Sequence, residues 1–356
     1  SQATLSSIDS NKGSKVSGFN VGIEANFVSN YGDITADNIL QIKSKSLINE
    51  GNDDQTSTIR SNGITAINAD NVLNLSGNIG GDVVQIDADN IVNRTKVLSS
   101  DFEGEGVKRH TEIAGATSSI TGSNGVSLNA NNALVNRGAK IESKDGDVNI
   151  KAGTATFNTT QIHNREEKRS SSGNAISKKS KLKITDTIEN KSSEISAGGN
   201  FNLSTTGDVN FAGADVNVGG NALFDIGGDT NITDVKDRVY NYSKTSKSTL
   251  GGLYSKKDTV IDENEILKNS NITVKDGLNI VSNKDVNIVA SNVDVGGDAN
   301  ILAGYKLTDT GVEKTENKAN VNIINDIETS KHLEKHEKKN NLDFSNFDMS
   351  FKDGKF

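Results

Sequence analysis

Laid over itself at a step of 21, the chain superimposes its glycines and its apolar residues together. Gly198-Gly199-Asn200 returns as Gly219-Gly220-Asn221. The same step carries Ile195 to Val216, Phe201 to Ala222, Leu203 to Phe224, Asp208 to Asp229, Asn210 to Asn231 and Phe211 to Ile232. It recurs downstream from Ile272 to Val293, from Asn279-Ile280 to Asn300-Ile301 and from Val286 to Leu307. Within each unit apolar residues alternate, as in Phe201 and Leu203 or Val286 and Ile288. Such alternation places every second side chain on one face of an extended strand. Short strands punctuated by Gly, Asn and Asp at this step suit an all-β parallel β-helix (solenoid), whose single turn cannot bury its apolar face until another stacks on it. Glycine is expected to supply positive φ at the corners, and corner Asn and Asp to bond to the rung above or below. At a spacing of about 4.8 Å, a dozen or more rungs would make a rod on the order of 60 Å long.

A longer period sits above the first. "VNVGGNALF" at 216–224 matches "VDVGGDANI" at 293–301 at a step of 77, and an earlier "GDVNI" at 146–150 precedes its own polar stretch. The first third repeats a sister phrase, "ADNIL" at 36–40, "ADNVL" at 69–73, "ADNIV" at 88–92 and "ANNAL" at 130–134. Three of these lead to an Asn, in "LINEG", "IVNRT" and "LVNRG". The chain therefore divides into 1–119 with divergent repeats, 120–309 with regular blocks and Lys/Ser/Thr-rich excursions, and 310–356 as terminal rungs or a charged, partly disordered tail.

Composition argues against an ordinary globule. Only 33% of residues are hydrophobic and 4% aromatic, with no Trp, Cys or Pro and a single Met, Met349. A compact interior for this length needs more large side chains, whereas a disordered chain rarely keeps so regular a beat. Absence of proline agrees with backbone N–H groups committed to ladders. The net charge of −8 disfavours nucleic acid as a partner. No run approaches the ~18 apolar residues of a membrane-spanning helix. The opening "SQATLSS" carries neither an initiator Met nor a signal-peptide pattern, so the chain reads as an excised piece.

Chemical motifs are weak. Neither G-x-G-x-x-G nor Gly-Lys-Ser/Thr occurs among the corner glycines, which removes a phosphate loop. "GGDTNITDV" at 227–235 shares the start of a calcium nonapeptide but lacks its second glycine. Asp208 and Asp229 would stack on successive rungs, as the carboxylates of a polysaccharide-degrading β-helix do, yet they fall where turn residues recur. His332 and His336 could chelate a metal if "HLEKH" were helical, against the simpler reading of a solvated charged face. Residues 327–339 are the best helical signal, with a solvated strand or disordered tail as equal alternatives; 340–356, with Phe344, Phe347, Phe351 and Phe356, could cap a rung. No cofactor, metal or catalytic residue is expected, and the chain is read as non-enzymatic.

The polar excursions carry the better candidates. Residues 165–183 hold seven basic and two acidic side chains, and 236–257 hold six and one, with tyrosines interleaved. Tyr240, Tyr242, Tyr254, Lys256 and Lys257 are the candidate surface-contact residues, facing anionic membrane or lipopolysaccharide. The plainer reading is of charged edges that prevent aggregation. Residues 233–270 are too long for a corner and would form either a hairpin beside the coil or degenerate rungs that continue the stack; alternation in "VYNYS" and "VIDENEIL" favours paired, extended strands over open coil in both cases.

Taken together, "ISAGGNFNLSTTGDVNF" (195–211), "SNVDVGGDANILAG" (291–304), the "ADN" phrases and "STLGGLYSKKDT" (248–259) resemble the filamentous haemagglutinin-like exoproteins of two-partner secretion. These include contact-dependent growth-inhibition effectors, and the resemblance is to the second haemagglutinin-repeat region. It covers most of the chain and is clearest over 120–310. It implies a right-handed β-helix, export through an outer-membrane transporter, and a secreted or cell-surface location. It further implies association with a target cell's outer membrane or a surface receptor during toxin delivery, or adhesion to host cells or within biofilm. It brings no catalytic residues to transfer.

Overall fold

The computed structural model describes residues 2–5, 14–51 and 55–340. The proposed capping segment at Phe344, Phe347, Phe351 and Phe356 lies outside them. Among the described residues the fold is all-β, and its one helical turn is a 3-10 turn at Leu250–Gly252. Two sheet systems account for nearly everything: a coil of 21 parallel-paired strands and a lateral antiparallel sheet of seven.

The coil is a stack of rungs, and parallel register lines up its inward residues in columns. One column runs Val16, Ile34, Ile59, Ile79, Ile120, Ile141, Ile195, Val216, Ile272 and Val293. A second runs Ile23, Ile42, Ile67, Ile86, Leu128, Ile150, Leu203, Phe224, Ile280 and Ile301. Their middle members, from Ile34 to Ile272 and from Ile42 to Ile280, are at most 2% exposed. Branched aliphatics suit this geometry, because stiff side chains one strand spacing apart stack without leaving voids. Each such burial contributes roughly 1.5–3 kcal/mol. Both columns have ten members among the described residues, and Gln2–Leu5 pairs in parallel with Phe27–Asn30 as part of a further rung.

The third column changes character halfway. It reads Asn30, Asn49, Asn74, Asn93 and Asn136, then Phe157, Phe211, Ile232, Ile288 and Ile323. The five asparagines are at most 1% exposed. Each amide donates to the next amide oxygen, Asn30 to Asn49 at 2.7 Å, Asn49 to Asn74 at 2.8 Å, Asn74 to Asn93 at 2.8 Å and Asn93 to Asn136 at 2.7 Å. An amide carries both donor and acceptor, so it can continue such a chain indefinitely. Where phenylalanine takes over, the Asn136 amide turns instead to the Ser193 hydroxyl at 2.6 Å and the Ala139 carbonyl at 2.8 Å. Beyond it the rings pack on one another, Phe157 on Phe211 at 4.9 Å and Phe211 on Phe224 at 5.7 Å between centroids.

The step of 21 holds for most expected pairs, including Ile195 with Val216, Phe211 with Ile232 and Ile272 with Val293. One pair differs: Val286 lies beside Val321, and Leu307 sits in a small hairpin of Tyr305–Thr308 with Gly311–Lys314. An insertion inside the last rung displaced the register and carried Leu307 out of the coil position that the step assigned to it. The corner glycines serve in two ways. Gly138 and Gly213 take the expected positive φ, 52° and 61°, whereas Gly198 and Gly219 do not; a Cβ at Gly198 would collide with the Lys144 carbonyl oxygen, and one at Gly219 with that of Gly198. Close backbone approach between stacked corners, rather than a left-handed turn, is what excludes a side chain there.

The excursions that build the lateral sheet leave the coil at a single corner. The first hairpin pairs Val97–Gly104 with Val107–Ala114, the second Thr160–Gly173 with Ser177–Lys191, and the third Val235–Thr249 with Tyr254–Lys268. Each follows the third strand of a rung, after Arg94, Asn158 and Thr233, and a last strand, Thr329–Asn340, follows Ile324. They pair in chain order into one antiparallel meander. Two rungs separate successive hairpins, and two rungs stacked at about 4.8 Å match the width of a two-stranded hairpin. That coincidence keeps the lateral sheet in step with the coil. It also explains the step of 77. Val216 lies beside Ile272 at a step that includes a whole hairpin, and Ile272 lies beside Val293 at the ordinary step.

Candidate functional site

Asp208 and Asp229 stack at successive corners, as a carbohydrate-cleaving carboxylate pair on a coil would. The Asp208 side chain accepts the backbone N–H of Asp229 at 2.9 Å, Asp229 accepts that of Asp285 at 2.9 Å, and Asp285 accepts that of Asn320 at 2.8 Å. These carboxylates satisfy N–H groups where strands break at the corner. His332 and His336 lie on a strand rather than a helix, and among the described residues no His/Cys/Asp/Glu cluster could hold a metal.

The lateral sheet carries the chain's exposed chemistry. Alternation along paired strands sorts its residues onto two faces. On one, Ile184, Tyr242, Ile261 and Leu333 form a continuous row across four strands. Tyr240 lies two positions along, with Arg238 over its ring at 5.3 Å and Arg238 bonded to Glu263 at 2.8 Å. Lys257 is on this face too, 3.0 Å from Glu337. Tyr240 and Tyr242 are half-buried against their neighbours. The opposite face carries Tyr254 and Lys256. The five candidate contact residues are therefore divided between the faces, three on one and two on the other.

Register brings four lysines into one row on that second face: Lys179, Lys247, Lys256 and Lys338 face one another across four adjacent strands. Lys181 and Lys183 follow on the same face. Among the described residues, Lys179, Lys181, Lys183, Lys247 and Lys338 form no ion pair with a carboxylate, whereas Lys256 reaches Asp258 at 3.1 Å. Two acids of this face are already engaged, Glu166 by Lys168 at 2.7 Å and Arg109 at 2.6 Å, and Asp258 by Lys256 and His336. Like charges directly across strands are destabilising, and protective lysines belong on edge strands. Of this row only Lys338 is on an edge strand, Thr329–Asn340, while Lys179, Lys247 and Lys256 lie on strands inside the sheet. Sequence reasoning found Lys256 but missed its three companions, because register between excursions so far apart along the chain had no local sign.

Histidines fasten the sheet at two places. His110 is bonded to Asp101 at 2.8 Å and to Glu112 at 3.3 Å, and its pKa is raised by those carboxylates. His332 bonds to Asp262, and His336 to Asp258 at 2.7 Å, with Glu334 between them; both are raised, chiefly by the Asp hydrogen bond. Asp258 is lowered, first by His336 and then by Lys256. A raised histidine adds stability that is complete below about pH 6.5 and disappears as pH climbs through its folded value. A lowered aspartate adds stability present above the ordinary carboxylate range and lost as pH falls through its folded value. The strand Thr329–Asn340 is thus held best in mildly acidic solution. Hydrogen exchange of 329–340, corrected for intrinsic rate, should rise from pH 6 to pH 8.5, and His332→Gln with His336→Gln should flatten that rise. An unchanged pH response in the double variant would assign the effect elsewhere.

Residues 103–249 match the family described as hemagglutinin repeat. The matched segment runs from the first hairpin into the third and holds the four rungs between them, the part of the chain where coil and lateral sheet interleave. No curated protein and no solved structure matches the chain. Among the described residues no helix is long and apolar enough to cross a membrane. The match supports a filamentous haemagglutinin-like repeat segment and suggests an adhesin-like or secreted structural protein.

Proposed function

We propose that the chain is a non-catalytic segment of a large secreted or cell-surface bacterial exoprotein, coiled as a right-handed parallel β-helix and exported through an outer-membrane two-partner secretion transporter. Its work is to hold a lateral sheet at a fixed distance and orientation so that the sheet can meet the outer membrane of a target cell, in the manner of toxin delivery by contact-dependent inhibition. The observation that carries this reading is the commensurate arrangement, with one hairpin per two rungs. A spacer alone would need no seven-stranded sheet of charged excursions held in register beside its coil.

Removing residues 235–268 tests it. Their loss takes out the whole third hairpin and returns the step between Val216 and Ile272 to nearly the ordinary one, so the coil should fold. Binding of the shortened protein to outer-membrane vesicles should fall at least about ten-fold, a change of ~1.4 kcal/mol. Retained vesicle binding in a variant with intact far-ultraviolet circular dichroism would remove the sheet from the function. The match to hemagglutinin repeats favours a second reading, an adhesin filament, which predicts binding to host cells or glycans in preference to bacterial vesicles.

A further inference from the structure

Beyond the lysine row the second and third hairpins end together. The Leu250 N–H donates to the Ile176 carbonyl at 2.7 Å, joining the two tips, and the Asn174 side chain accepts N–H groups from Ile176 at 3.0 Å and Ser177 at 2.9 Å. These tips are apolar and open: Ile176 is 62% exposed, Leu250 53% and Leu253 36%. Leu250 has φ of 52°, a left-handed conformation that a branched side chain adopts only under strain, beside Gly251 at 65° and Gly252 at 98°. Strain retained at an exposed apolar residue marks a site whose presentation matters. Tyr254, paired with Thr249, lies between this tip and the lysine row, which sits about 7 Å further down the strands.

Apolar tip, aromatic, then lysines is the order in which a membrane surface presents acyl chains, interface and phosphates. We propose that the joined tips of the second and third hairpins are an insertion edge for an anionic lipid bilayer. Ile176, Leu250 and Leu253 enter the acyl boundary, and Lys179, Lys247, Lys256 and Lys338 lie against headgroup phosphates. A soluble linear polyanion would engage the lysines but leave the exposed Ile and Leu side chains without a role. The inference rests on the surface-contact reading above and names the chemistry of that contact.

Vesicle co-sedimentation of the whole chain, with phosphatidylcholine vesicles containing or lacking phosphatidylglycerol, tests it. Binding is expected on the anionic vesicles alone. Lys179→Gln with Lys247→Gln, and separately Leu250→Ser with Leu253→Ser, should each weaken it about ten-fold or more. The chain has no tryptophan, so Leu253→Trp supplies a single reporter whose emission should shift to the blue on vesicle addition. All these positions are at the surface, and unchanged circular dichroism separates a binding defect from misfolding. Full binding by the leucine pair, no blue shift, or complete displacement by inorganic polyphosphate would overturn insertion. Absence of vesicle binding alongside retained binding to bacterial cells would overturn this proposal while leaving the function proposed above in place; absence of both would remove the two together.

Discussion

Asn93→Leu should destabilise the protein by about 3–5 kcal/mol, whereas Asn279→Leu, a change of the same chemistry in an exposed ladder, should shift it by less than ~0.5 kcal/mol. Asn93 is 1% exposed. Its oxygen accepts from Asn74 and from the Ser118 hydroxyl, each at 2.8 Å, and its amide donates to Asn136 at 2.7 Å and to the Lys140 carbonyl at 3.0 Å. Leucine fills the volume but leaves the Asn136 oxygen and the Lys140 carbonyl without those donors, away from water that could replace them. Each buried group so orphaned costs about 1–3 kcal/mol. The Asn279 oxygen accepts from Asn300 at 3.0 Å, and both are open to solvent. Urea unfolding midpoints of the two variants check the contrast, and similar shifts would show that the buried ladder carries no special share of stability.

That ladder also shows how far the sequence could be read. The step of 21 located most of the register from Ile195 to Val295, because branched aliphatics and glycine recur wherever backbones stack. The sister phrases of the first third were visible as text, and Asn49, Asn93 and Asn136 stood within them. What remained hidden was that their column continues as Phe157, Phe211 and Ile232. Pattern reading treats asparagine and phenylalanine as opposites, while a stacking column accepts either a polar chain closed on itself or a pile of rings. The excursions were legible as charge and alternation. Their pairing was not, because strands 177–191 and 235–249 meet only after two rungs have set their separation. The four-lysine row follows from that pairing, and so does the division of Tyr240, Tyr242 and Lys257 from Tyr254 and Lys256.

Phe211→Ala should cost about 3–5 kcal/mol and, more tellingly, should act over a limited stretch of chain. Phe211 is fully buried between Phe157 and Phe224, and alanine would leave a cavity in a column with little freedom to collapse. Stacked rungs contact only their neighbours, so stability in such an array is close to a sum of local terms. The cavity opens beside the roots of two hairpins: Phe157 stands shortly before Thr160, where the second begins, and Ile232 shortly before Val235, where the third begins. Hydrogen-exchange protection should therefore fall across 193–233 and through both hairpins, while the rungs over 33–94 keep theirs. Uniform loss along the whole chain would show instead that the coil unfolds as one cooperative body. A local loss would have a functional consequence: the variant should bind vesicles poorly although every residue of the tips and of the lysine row is unchanged. The row exists only because two buried rungs hold one hairpin a fixed distance from the next, so core packing and surface chemistry are one property read at two depths.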